Sequence, residues 1–143
     1  PHTLSIADEI AHEYTLNKEQ IRAYTMITRQ AMQDRPSPLR MCITGVGGTG
    51  KSRVIQALKT FFDKTQQSRR FRVCSFMGVA AKNVSGSTLH SALNLNDRKG
   101  SRLSAKSRRD LIVKWDGVDF LFVDEKSVIG RKLLVSMHEA LCI

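Results

Sequence analysis

Residues 45–52 read Gly45-Val46-Gly47-Gly48-Thr49-Gly50-Lys51-Ser52, and the reading of that run decides the fold. Glycine in such density weakens regular structure and serves where a backbone turns sharply or lies close to a ligand. The run matches G-x-x-x-x-G-K-[ST]. Before it, Leu39 to Thr44 reads as a buried strand. After it, Val54, Ile55, Leu58, Phe61 and Phe62 mark one face of a helix beginning near Gly50. In a strand-to-helix turn, consecutive main-chain N–H groups make a concave anion site, and the helix adds its positive end. Gly45, Val46, Gly47, Gly48, Thr49 and Gly50 then cradle the phosphates of a nucleotide. Lys51 reaches the β- and γ-phosphates, and the Ser52 hydroxyl holds Mg²⁺.

A second stretch tests that reading. Phe120-Leu121-Phe122-Val123 is a continuous apolar run, suited to a parallel strand buried on both faces. It stops at Asp124-Glu125. A nucleotide hydrolase needs a carboxylate for Mg²⁺ at a strand tip and a second group to deprotonate water. Asp124 suits the first role and Glu125 the second; the plainer alternative is that both acids simply end a strand at the surface. A guanine-reading N-K-x-D is missing, since Asn17-Lys18-Glu19-Gln20 lacks the aspartate. ATP is therefore the expected nucleotide.

The chain has 143 residues, which suits one domain, and a formal net charge of +10. That charge favours an anionic partner, nucleic acid ahead of a membrane surface. No run is apolar enough to cross a bilayer, and no signal peptide is read. Cys42, Cys74 and Cys142 lie far apart with no C-x-x-C, and no histidine spacing suggests a metal. They read as buried free thiols in a reducing compartment.

Pro1 to Thr15 reads as a lead-in with one short helix. Asn17 is placed as an N-cap and Gln20 as its capping-box partner, with Leu16 and Ile21 as a hydrophobic staple. Ile21, Tyr24, Ile27 and Ala31 continue that helix, which Asp34 to Pro38 ends. Phe71 to Phe76 reads as a second strand. Gly78 to Val84 reads as a short helix, Ser85-Gly86-Ser87 as a break, and Thr88 to Leu93 as a helical turn. Asn94 to Ser107 is a polar, basic surface loop. A helix from about Ala105 to Trp115, a turn at Asp116-Gly117 and a final helix with Leu133, Leu134, Met137 and Leu141 on one side complete the pattern. Alternating strands and helices argue an α/β fold with a parallel sheet.

Four pieces in order carry a resemblance: Leu16 to Gln20, the glycine run, Gly78 to Leu93 (GVAAKNVSGSTLHSAL) and Phe120 to Ser127 (FLFVDEKS). Together they resemble the Pif-one family of superfamily-1 DNA helicases, and its Helitron-transposon branch most. The resemblance spans about Leu16 to Leu141. It implies an incomplete three-layer RecA-like P-loop fold over residues 16–143, with 1–15 as a lead-in segment. It implies 5′-to-3′ translocation on single-stranded DNA driven by ATP and Mg²⁺, in the nucleus or else the mitochondrion, in DNA repair, recombination and telomere maintenance. Gln20 becomes the adenine-reading glutamine, a role compatible with capping. Gly78, Val79, Ala80 and Ala81, with Thr88, His90 and Ser91, line the DNA path; for His90 a structural role is the alternative. Ser127 couples hydrolysis to neighbouring elements. The basic stretch from Arg98 to Lys114 either adds phosphate contacts or is a solvated surface.

Two positions depart from the family pattern. Met77 stands where threonine is usual, and Val128 where methionine is common. The chain also stops one helix after Asp124-Glu125, before the family's G-D-x-x-Q strand, second motor domain and arginine finger. That strand normally inserts between the phosphate-loop strand and the acid-pair strand, so a central gap in the sheet is expected. A fragment of a larger motor with feeble turnover alone is the resulting expectation. The alternatives are a P-loop ATPase that is no helicase, or an inactive relic that binds nucleotide or nucleic acid.

Overall fold

The computed structural model describes residues 2–34, 36–45, 48, 50–78, 86–95, 104–124 and 129–142. Two compact units divide the chain, Pro1–Ser68 and Arg69–Ile143.

The first unit is helical. Helix α1 (His2–Glu13) buries Ala7 and Ile10 one turn apart. The lead-in is thus a full helix, held to the rest of its unit by side chains. Tyr14 Oη and Thr60 Oγ1 share a hydrogen bond of 2.7 Å, and Lys64 pairs with Glu13 at 3.1 Å. Arg53 donates to the Tyr14 carbonyl and, over 2.9 Å, to Thr15 Oγ1.

Helix α2 (Lys18–Met32) starts as its sequence dictates. Asn17 Oδ1 accepts from the N–H groups of Glu19 and Gln20, while Gln20 Oε1 accepts from the Asn17 N–H at 2.9 Å. Tyr24, Ile27, Thr28 and Ala31 form its buried face. Leu16 is buried but Ile21 is exposed, so the expected staple buries only its first half. Helix α3 (Lys51–Lys64) turns Val54, Ile55, Ala57, Leu58, Phe61 and Phe62 inward. Tyr24 meets the Phe61 ring edge-on at 6.4 Å, and Phe61 meets Phe62 at 5.5 Å. Each such ring contributes roughly 1.5–3 kcal/mol by leaving water. Burial, with the nearby Asp8 charge second, pushes the Tyr24 phenol well above its usual pKa. Its hydroxyl has no hydrogen-bond partner among the described residues.

The second unit is α/β. Strands β1 (Phe71–Ser75), β2 (Ser87–Thr88) and β3 (Phe120–Asp124) form a parallel sheet in the order β2-β1-β3. Gly86 admits β2 to the sheet, because a Cβ there would lie 2.6 Å from the Val73 carbonyl oxygen. Helices α4 (Leu89–Ala92), α5 (Ala105–Trp115) and α6 (Arg131–Leu141) supply Leu89, Ala92, Leu111, Met137 and Ala140 to a core that also holds Cys74 and Leu93. Ser104 caps α5 by accepting the Ser107 N–H at 3.1 Å. Gly117 turns the chain after α5 at φ 72°. Trp115 donates its indole N–H to the Ala92 carbonyl at 2.9 Å, and the Arg72 guanidinium stacks over its ring at 4.7 Å.

Several expectations fail here for identifiable reasons. Leu39 to Thr44 forms no strand, and Leu39, Met41 and Cys42 are exposed. A strand needs a hydrogen-bonded neighbour, and among the described residues the sheet holds only β1 to β3. Strand β3 is half-buried along its length, because as an edge strand of the described sheet it has one paired side. In α6 the inward stripe is Leu133, Met137 and Ala140, and Leu134 and Leu141 face water. Ser87 belongs to a strand rather than a break. Of the three thiols only Cys74 is buried; Cys42 and Cys142 are exposed. The expected helix over 79–84 lies outside the described residues.

Candidate nucleotide and DNA sites

In the first unit, Gly50 sets the geometry of the glycine run. It heads α3 in the left-handed region, at φ 80° and ψ 26°, and no side chain caps the helix there. The positive end of α3 is therefore presented beside the loop backbone, as an anion site requires. Gly48 shares the left-handed conformation, with open space where a side chain would be. Lys51 folds back over the loop and donates to the Gly45 carbonyl at 2.9 Å. Ser52 is exposed at the first turn of α3. Val46, Gly47 and Thr49 lie outside the described residues.

Gln20 joins this group from α2. Its Nε2 donates to the Gly50 carbonyl at 3.1 Å while its Oε1 completes the cap of α2. A Cβ on Gly50 would lie 2.5 Å from that Nε2 and push the glutamine amide aside, while the left-handed φ of 80° is what favours glycine there. One glutamine thus ties the start of α2 to the start of α3, thirty residues further along the chain. A glycine-led helix start followed by a lysine and a hydroxyl has the chemistry to take a polyphosphate; Ser52 in this unit and, separately, Asp124 in the other carry hard oxygen donors of the kind Mg²⁺ prefers.

In the second unit, the strand tips gather the other candidates. Ser75, Thr88 and Asp124 stand in register at the C-terminal ends of β1, β2 and β3. Asp124 is half-buried. Ser75 is fully buried, and its hydroxyl has no partner among the described residues. Thr88 caps α4 by accepting the Ser91 N–H at 3.3 Å. His90 sits edge-on to Phe76 at 5.7 Å, and Lys114 donates to the Ser91 carbonyl. Burial pushes the Cys74 thiol upward, and the Ser87 hydroxyl at 3.7 Å, Arg72 and Lys114 oppose that shift.

The structure therefore groups Gln20, Gly45, Gly48, Gly50, Lys51 and Ser52 in one unit. It groups Thr88, His90, Ser91 and Asp124 around the strand tips of the other. Gly78 is exposed just after β1. Glu125, Ser127, Val79, Ala80 and Ala81 lie outside the described residues. Sequence reasoning missed Ser75 and Phe76. Their signal was a place two and three residues before Gly78, where strand register, invisible in the sequence, decides which side chain is buried. No helix among the described residues is long and apolar enough to cross a membrane.

A family model described as PIF1-like helicase matches residues 15–142. Similar proteins include the ATP-dependent DNA helicase RRM3 of Saccharomyces cerevisiae, 26% identical over 96% of this chain and 19% of its own length. Another is the uncharacterized protein 030L of Invertebrate iridescent virus 6, 28% identical over 92% of this chain and 24% of its own length. The ATP-dependent DNA helicase PIF1 of Saccharomyces cerevisiae is 32% identical over 64% of this chain and 11% of its own length. The chain thus spans a quarter or less of these relatives. No solved structure matches it.

Proposed function

The chain belongs to the PIF1-like helicase family, and from that premise we propose that it is the nucleotide-binding part of an ATP-dependent DNA helicase. Residues 16–143 are the first portion of a RecA-like motor domain, and 1–15 lead into it. The substrates are ATP and single-stranded DNA. The expected setting is intracellular DNA, nuclear first and mitochondrial second, with repair, recombination and telomere maintenance as the processes. The remainder of the motor is the expected partner.

The observation that carries this reading is the convergence on Gly50. An uncapped helix start and a glutamine from α2 meet at Gly50, and the next residue, Lys51, reaches back to the Gly45 carbonyl at the head of the glycine run. Each does one job in the mechanism. The main-chain N–H groups at the start of α3 hold phosphate oxygens. Lys51 leaves the Gly45 carbonyl for the β- and γ-phosphates, exchanging a neutral acceptor for a charged one. Gln20 keeps its Oε1 on the cap while its amide reads adenine. Ser52 would hold Mg²⁺, with Asp124 as the carboxylate assigned to the same ion by the sequence pattern, and the ion would supply charge neutralisation at the phosphates. Glu125 takes a proton from the attacking water. Thr88, His90 and Ser91 face the DNA strand that motor closure moves.

Replacing Lys51 with Ala tests the cradle. Isothermal titration should show ATP affinity lowered about 10- to 100-fold, the size of a lost charge-assisted contact. Unchanged affinity would remove the cradle. Adding single-stranded DNA to the protein extended through its second motor domain should stimulate ATP hydrolysis; a flat response would leave an ATPase that is not a helicase.

A further inference from the structure

The sequence holds nine aromatic side chains, counting six Phe, two Tyr and one Trp. Eight are buried or half-buried, and Phe76 alone is exposed. It follows the last residue of β1 and precedes Met77 and Gly78, both exposed as well. Its ring has one aromatic neighbour: His90 stands edge-on to it at 5.7 Å with the two planes 64° apart. The backbone at His90 is held, because Thr88 caps its helix and the neighbouring Leu89 and Ala92 are buried. A cation docks on the same short helix: Lys114 reaches the carbonyl of Ser91, the residue after His90, with one of its three N–H donors. A solvent-facing ring against His90, on whose helix an ammonium group also docks, offers partners for the two halves of a nucleotide, a flat base and a charged phosphate. An apolar protein partner fits less well, because the unit around Phe76 carries fourteen Lys and Arg against seven Asp and Glu.

We propose that Phe76, edge-on to His90, stacks on one unpaired base of the bound strand, with Lys114 serving the adjoining phosphate. This rests on the single-stranded DNA reading given above and adds a base contact to it. The contact tolerates any base, because every base has a π-face.

The test compares two labelled strands of equal length and charge by fluorescence anisotropy, one oligothymidine and one abasic. The native chain should bind oligothymidine more tightly than the abasic strand. Phe76→Ala should lower oligothymidine affinity about 5- to 100-fold and leave abasic affinity unchanged. Phe76→Trp should keep the preference, and oligothymidine but not the abasic strand should quench its added emission. Equal native affinity for the two strands, or an equal loss for both in Phe76→Ala, overturns the stacking contact while leaving DNA binding intact. Binding of neither strand overturns the DNA reading itself. Phe76 lies outside the buried core cluster of its unit, so the alanine variant should keep its fold, which circular dichroism checks.

Discussion

The two units differ in how much unbalanced positive charge they carry. Residues 1–68 carry nine Lys and Arg against six Asp and Glu, whereas residues 69–143 carry fourteen against seven. Both units turn some cations to internal work: in the second, Arg70 pairs with Asp119, Arg72 stacks over Trp115 and Lys114 reaches the Ser91 carbonyl. In the first unit Lys64 pairs with Glu13, Arg53 binds Tyr14 and Thr15, and Lys51 closes over its own loop. In the second unit Lys106, Arg108 and Arg109 project into water from α5. The helical unit thus carries the proposed anion cradle, and the sheet unit carries the larger positive excess. A cradle suits a discrete polyphosphate, and a positive excess suits a long polyanion.

That contrast can be broken in four places. The largest effect should come from Glu125→Gln in the protein extended through its second motor domain. ATP hydrolysis should fall ~10²–10⁴-fold while ATP affinity stays put, which separates turnover from the cradle. Loss of binding in that variant would merge the two roles. Next comes Phe61→Ala, which empties the ring cluster of the helical unit. Urea denaturation should show about 3–5 kcal/mol less stability; a loss under 1 kcal/mol would mean that Tyr24 and Phe62 collapse into the space. Smaller is Gln20→Glu, which keeps an Oε1 for the Asn17 N–H but loses the donor to Gly50. Stability should change by less than about 1 kcal/mol, whereas ATP affinity should drop measurably in isothermal titration. Intact affinity would leave Gln20 a capping residue alone. The smallest readout is thiol labelling at mildly alkaline pH. Cys42 and Cys142 should react in the native chain, and Cys74 only after denaturant, because burial both shields its thiol and holds it protonated. Labelling of all three in the native chain would mean that the sheet core opens.

Local rules read well where one element decides its own fate. The cap at Asn17 and Gln20, the inward face of α3, the span of α5 and the turn at Gly117 all follow from spacing and side-chain chemistry within a few residues. They misled where a neighbour decides. Leu39 to Thr44 has the composition of a strand but no described partner to bond with. Leu134 and Leu141 continue the apolar period of α6, yet the core ends at Met137 and Ala140. Ile21 fits a staple by position, but nothing covers it.

The sequence by itself determined the phosphate-binding motif, the acid pair, the α/β pattern and the family, since each is a matter of residue type at fixed spacing. Only the tertiary structure decided that Gln20 reaches Gly50, that Ser75 and Thr88 stand level with Asp124, and that Phe76 is left in water beside His90. Those are distances between segments far apart in the chain. They depend on strand register and helix packing, which no local periodicity encodes.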